Sequence, residues 1–200
     1  MLKKMYLTNF LSFKERTEFD FSASKYSILS KTNVYDNEIL KGALFLGPNA
    51  SGKSNALKGI SFIIDMIKGE GTAFQKYRCI FSDNPITTVE YEFEFEHKKV
   101  EYEIEHNFKE NSISENIKID NITVLNRKGN KGELRIGGNI IVDEHVDAET
   151  LFFRTASFNT GRFPQEPTLR KLMDFLQNSY IVDGYNRGAS YGKSIIRYAE

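Results

Sequence analysis

Eight consecutive residues, Gly47, Pro48, Asn49, Ala50, Ser51, Gly52, Lys53 and Ser54, satisfy the pattern G-x-x-x-x-G-K-[ST] in full. The chemistry this spacing serves is the binding of phosphates. Gly47 and Gly52 admit torsions and close approach that a Cβ would forbid, so successive N–H groups can turn inward as an anion nest. Pro48 has no N–H and is not one of those donors. Lys53 offers a compact charge to the β- and γ-phosphates and Ser54 a hydroxyl to Mg²⁺. A helix starting beside them points its positive end at the same anion, and Asn55 completes the cofactor-binding set. A chance match in a chain of this length is on the order of 1%, given the frequency of glycine. The expected ligands are therefore ATP and Mg²⁺.

Other residue groups offer weaker chemistry. Ile140, Ile141 and Val142 followed by Asp143 and Glu144 imitate a strand ending in a metal-holding Asp and a water-polarising Glu, which makes Glu144 a candidate catalytic residue. Short apolar runs ending in acidic turn residues are common, and the expectation is that this one is not catalytic. Residues 188–194 fall one residue short of a second phosphate loop and read as a flexible Gly/Ser segment. Phe10 and Phe13 could reach an adenine ring, although aromatics on an opening strand more often serve the core. His97, His106 and His145 stand among polar neighbours and are expected at the surface. The glutamates that alternate with apolar residues between Glu90 and Glu105 predict a solvated sheet face, one that would repel nucleic acid.

The elements that must position the loop can be read from periodicity. Apolar residues recur at strand-like spacing in residues 2–13, a polar stretch covers 22–38, and residues 42–46 (GALFL) predict a strand buried on both faces, as in a parallel sheet. After the loop, Ala56, Ile60, Ile63, Ile64 and Ile67 mark one face of a helix that ends at Lys68 and Gly69. Val89, Tyr91, Phe93 and Phe95, then Val100, Tyr102 and Ile104, predict an antiparallel hairpin turning at residues 97–99. Apolar runs at 117–125 and 140–142, separated by a Gly- and Lys-rich stretch from 128 to 138, extend that sheet. Helical spacing returns at 151–158 and 169–176, before a short strand at 180–182.

Composition restricts the setting. Lys plus Arg and Asp plus Glu both number 27, so no overall field attracts nucleic acid or a membrane surface. The single cysteine, Cys79, makes no internal disulfide, no zinc-type spacing exists, and no apolar run approaches the ~18 residues of a membrane span. A reducing, cytoplasmic setting is expected.

The opening M-L-K-K-M-Y-L-T-N-F-L-S-F, followed by G-P-N-A-S-G-K-S-N, resembles the N-terminal lobe of ABC-type ATPases of the SMC and RecF kind. It is more closely similar to bacterial ATP-binding proteins of abortive-infection and OLD-type phage-defence systems. In those proteins, too, a helix after the loop leads to an antiparallel sheet and then to a helix like residues 151–159. The resemblance implies an α/β P-loop NTPase with an attached antiparallel β subdomain. It implies one lobe over 1–200, with a core at 1–70, an antiparallel section at 71–145 and a helical section at 146–200. It also implies hydrolysis by a homo-dimer of ATPase heads, with signature and Walker B motifs supplied outside this lobe and a nuclease or toxin effector as possible partner. An arginine common after the N-F of such heads is Leu11 here, and no L-S-G-G-Q-like segment occurs. The rival expectations are a nucleotide-binding module without turnover and a P-loop NTPase of another branch. The GTPase form of the latter would need an N-K-x-D that the chain lacks.

Overall fold

A computed structural model describes residues 1–24, 30–36, 38–70, 74–159, 166–182 and 195–197. Its elements in chain order are β1 (Leu2–Thr8), β2 (Thr17–Asp20), α1 (Ser30–Asn33), β3 (Val34–Tyr35), β4 (Ile39–Leu40), α2 (Lys53–Lys68) and a 3₁₀ turn (Phe74–Tyr77). There follow β5 (Ile86–Phe95), β6 (Lys98–Asn107), β7 (Ser112–Ile119), β8 (Ile122–Lys128), β9 (Lys131–Ile136), β10 (Asn139–Asp143), α3 (Phe152–Asn159), α4 (Pro167–Asn178), β11 (Tyr180–Val182) and β12 (Ile195–Arg197).

Strict alternation makes the hairpin β5–β6. Val89 faces Ile104, Tyr91 faces Tyr102 and Phe93 faces Val100 on the core side. Its turn falls at Glu96 and His97, both at positive φ, one residue earlier than expected. The run at 117–125 is not one strand, because Asp120 and Asn121 adopt positive φ and fold it into the hairpin β7–β8. The Gly- and Lys-rich stretch likewise contains a strand, β9, whose Leu134 lies opposite Leu125. Eight strands thus form a single sheet in the order β10-β9-β8-β7-β6-β5-β1-β2, with every neighbouring pair antiparallel. This sheet runs unbroken across the 70/71 division.

One face of the sheet carries the helices. Helix α2 buries Ala56, Gly59, Ile60, Phe62, Ile63, Ile64, Met66 and Ile67, and each large side chain among them contributes about 1.5–3 kcal/mol by leaving water. Gly59 lets the helix approach β1 closely, since a Cβ there would stand 2.9 Å from Leu7 Cδ1 and 3.0 Å from Met5 Sδ. The Tyr91 hydroxyl donates to the Gly59 carbonyl at 2.6 Å and ties the helix to β5 as well. Helix α4 packs beside α2, with Phe175 set edge-on to Phe93 and Phe95. Gly69 ends α2 at φ 76, with its N–H bonded to the Met66 carbonyl.

The other face is polar and bears Glu90, Glu92, Glu101, Glu103 and Glu105. Arg16 pairs with Glu90, and Lys99 with both Glu92 and Glu101. Glu103 lies directly opposite Glu90, and its carboxyl is pushed above the usual range by burial and by the charges of Glu105 and Glu90.

Residues 42–46 depart from expectation. They form no strand, Leu44 and Leu46 are each 81% exposed, and only Phe45 packs, against Phe19 and Phe21. A strand of a parallel sheet needs neighbours on its edges, and no described strand pairs with this segment, so the expected parallel strand is absent and the sheet is wholly antiparallel. Among the described residues no helix is long and apolar enough to cross a membrane.

Candidate phosphate-binding site

Helix α2 starts at Lys53 with Gly52 as its N-cap, at φ 90 and ψ 0. That left-handed conformation favours glycine, and a Cβ there would also stand 3.3 Å from the Phe13 ring and from Ser12 Oγ. No side chain caps the helix and its first turn holds no acidic residue. The first-turn N–H groups and the positive end of the helix dipole are therefore left for an anion.

The loop before the helix curls back on itself. Ser51 N–H reaches the Pro48 carbonyl at 3.3 Å, and Ala50 sits at φ 63. Lys53 Nζ donates to the Gly47 carbonyl at 2.8 Å, the Pro48 carbonyl at 2.5 Å and Ser51 Oγ at 3.3 Å. The ammonium thus lies across the two ends of the loop, where its charge faces any group the loop encloses. Gly47, Pro48, Asn49, Ala50, Ser51 and Ser54 are all exposed, and Asn55 is half-buried.

Behind the loop stands the turn between β1 and β2. Asn55 Nδ2 donates to Ser12 Oγ at 2.9 Å, and Phe13 backs Gly52. Ser12 was not foreseen from sequence as part of this site. The turn is anchored by Asn9, which is fully buried at φ 53. Asn9 Nδ2 donates to the carbonyls of Asn84 and Ile86, at 2.8 and 2.7 Å, and its own carbonyl accepts from Cys79 N–H and Thr87 Oγ1. Leu11, at φ 51, donates its N–H to the Tyr77 carbonyl and packs its side chain on the core, so the turn presents an apolar group and no cation at this position. Phe10 is fully buried and stacked on Tyr77 at 5.3 Å, a core residue rather than a base contact.

The other candidates lie elsewhere. Asp143 ends β10, with Glu144 just after it, at the far edge of the sheet, six strand positions from β1, or about 29 Å measured along the sheet at ~4.8 Å per strand. Asp143 Oδ1 accepts from His145 N–H, and Glu144 pairs with Lys131 at 3.1 Å. Residues 188–194 lie outside the described residues. Of the histidines, His97 and His145 are exposed as expected, but His106 is buried. It continues the core-facing series Val100, Tyr102, Ile104, and stacks on Phe74 at 4.9 Å. Burial lowers its pKa, and a hydrogen bond with Asn111 opposes the shift.

A second polar cluster, also unforeseen, sits within the core. Glu115 and Arg127 face each other across β7 and β8, both at 1% exposure and 3.2 Å apart. Glu115 accepts from the Phe152 and Phe153 N–H groups at 2.5 and 3.3 Å and from the Tyr102 hydroxyl at 2.8 Å. Arg127 donates to the carbonyls of Gly129, Asp147 and Thr150. Burial pushes the Glu115 carboxyl above its usual range, against the pull of Arg127 and the N–H and hydroxyl donors. The clue was present in the sequence, as a charged residue at each of two positions where alternation calls for an apolar one.

A family model described as "AAA domain, putative AbiEii toxin, Type IV TA system" matches residues 43–157, more than half of the 200-residue chain, from just before the loop into α3. No curated protein matches the chain.

Proposed function

The chain belongs to this family of AAA domains, and from that premise we propose that it binds Mg·ATP on residues 47–55. The observation that carries the reading is the uncapped start of α2, with Gly52 in the left-handed conformation and Lys53 drawn across the loop. The main-chain N–H groups of the loop and the first helical turn would hold the phosphate oxygens, Lys53 the β- and γ-phosphates, and Ser54 the Mg²⁺. The bound metal would supply charge neutralisation between the β- and γ-oxygens. Ser12 and Phe13 keep Gly52 and Asn55 in place from behind.

In its wider role, the chain is proposed to serve as the nucleotide-binding lobe of an ABC-type, SMC-like ATPase. That ATPase would act as a cytoplasmic switch in a bacterial anti-phage or DNA-related complex, as a dimer of heads coupled to a nuclease or toxin effector. The family description and the order of loop, helix, antiparallel sheet and α3 support this role. A second reading, nucleotide binding without turnover, is favoured by the position of Asp143 and Glu144 at the opposite edge of the sheet from β1 and β2.

The test is calorimetric titration of the purified chain with Mg·ATP. Lys53→Ala is expected to weaken binding by at least tenfold, about 1.4 kcal/mol, without lowering the urea midpoint. Unchanged affinity in that variant would overturn the assignment of the site.

A further inference from the structure

Strand β10 carries three consecutive apolar residues, Ile140, Ile141 and Val142, that the proposed function does not use. It is the last strand of the sheet, and among the described residues no strand pairs with its outer edge. Folded proteins blunt such an edge with lysine, proline, a bulge or a very short strand. The opposite edge follows that rule, since β2 has four residues and its Glu18 and Asp20 pair with Lys4. Strand β10 does not follow it. Its sequence N-I-I-V-D contains neither lysine nor proline, its register with β9 is continuous over all five residues, and Ile140 and Val142 are 61% and 46% exposed.

We propose that the outer edge of β10 pairs with the same edge of a second copy of this chain, in antiparallel register about a two-fold axis through Ile141. The strand is self-complementary in that register. Ile141 meets its own copy on the core side, Ile140 meets Val142 of the other copy on the open face, and Asn139 meets Asp143 at each end. No like charges face each other, and Gly138 lies opposite Glu144, with open space where a Cβ would be. Sliding the pairing by two residues in one direction sets Asp143 against Ile141, and in the other direction sets Asn139 against Ile141. Only the centred register matches apolar to apolar along the strand. The contact needs no nucleotide and lies on the sheet edge remote from the P-loop, so it is independent of a dimer made through the ATP sites.

Sedimentation of the 200-residue chain without nucleotide tests this, over concentrations up to about 100 µM. The wild-type chain is expected to reach twice its 23.0 kDa mass, and Lys53→Ala to do the same. The double variant Ile140→Lys/Val142→Lys sets lysine against lysine twice and is expected to raise the dimer dissociation constant at least tenfold. Ile140→Lys/Val142→Glu sets lysine against glutamate twice and should stay within about threefold of wild type. Both positions are exposed, and circular dichroism verifies that each variant is folded. A wild-type chain that stays monomeric overturns the proposal. So does a dimer that the double lysine leaves intact, or one that the lysine/glutamate variant weakens as much as the double lysine does.

Discussion

Asn9 holds its turn in a backbone conformation that few side chains accept, and asparagine is among those that do. Its amide ties the start of β5 to the end of β1, and the turn it fixes delivers Ser12 to Asn55 and Phe13 to Gly52. The N-F of the opening strand thus has a physical reason, independent of any resemblance: Asn9 sets the turn and Phe10 fills the core beneath it. His106 shows the opposite relation between type and place, a titratable ring on the core side of β6 with Nδ1 lacking a hydrogen-bond partner among the described residues. Its folded pKa lies below the 6.5 of the free side chain, so the unfolded chain takes up the proton first. Stability is then complete above about pH 6.5 and is lost as pH falls from there towards the folded pKa. The urea midpoint of wild type is expected to drop between pH 7.5 and 5.5 by more than that of His106→Phe, a ring that preserves the stacking on Phe74. Equal drops in the two proteins would assign the acid sensitivity to other groups.

Helix α3 depends on a side chain from the sheet for its N-terminus. The Glu115 carboxylate of β7 accepts from the first two N–H groups of the helix, while Arg127 of β8 holds the carbonyls of Asp147 and Thr150 in the connection leading to it. Removing one member of such a pair strands the other in a dry site. Glu115→Ala is therefore expected to cost about 3–5 kcal/mol in urea unfolding, whereas Glu115→Met/Arg127→Met should cost less, because it leaves no charge unpaired and only the main-chain groups without partners. Amide exchange at Phe152 and Phe153 should speed up in both variants relative to wild type, since each removes the acceptor of those N–H groups. Elements of this kind mark the limit of what periodicity reveals. The hairpin β5–β6, the face of α2 and the positions of α3 and α4 were legible, because their apolar residues recur at period 2 or 3.6 over enough length. The loop at 47–54 was legible residue by residue, because its glycines, lysine and serine stand at fixed offsets. The break at Asp120 and Asn121 was hidden within an apolar run, and β9 was hidden by its glycine and its charged residues. Residues 42–46 were read as a buried strand from apolarity alone, and that property cannot say whether neighbours exist to pair with them.

For the molecule as a whole, a single sheet joins two regions of different character. At one end β1, its turn and α2 frame the phosphate loop; at the other, β9 and β10 carry the acidic pair Asp143 and Glu144. Acceleration of phosphoryl transfer needs a group that orients water at the γ-phosphate as well as a cradle for the nucleotide. With that acidic pair held six strand positions away, the chain alone is expected to bind Mg·ATP and release phosphate at no more than background rate. Asp143→Ala and Glu144→Ala are expected to bind as wild type does. Turnover near one per second that Lys53→Ala abolishes would refute the first expectation, and a tenfold or larger loss of Mg·ATP affinity in either acidic variant would refute the second. The bond from Tyr91 to the Gly59 carbonyl, at the position where α2 comes closest to β1, bears on how such a molecule moves. At that point α2 is held to two adjacent strands, by a hydrogen bond to β5 and by close packing on β1, and both contacts resist its sliding on the sheet. A displacement imposed on the phosphate loop therefore reaches the sheet through the middle of α2, at β1 and β5 first.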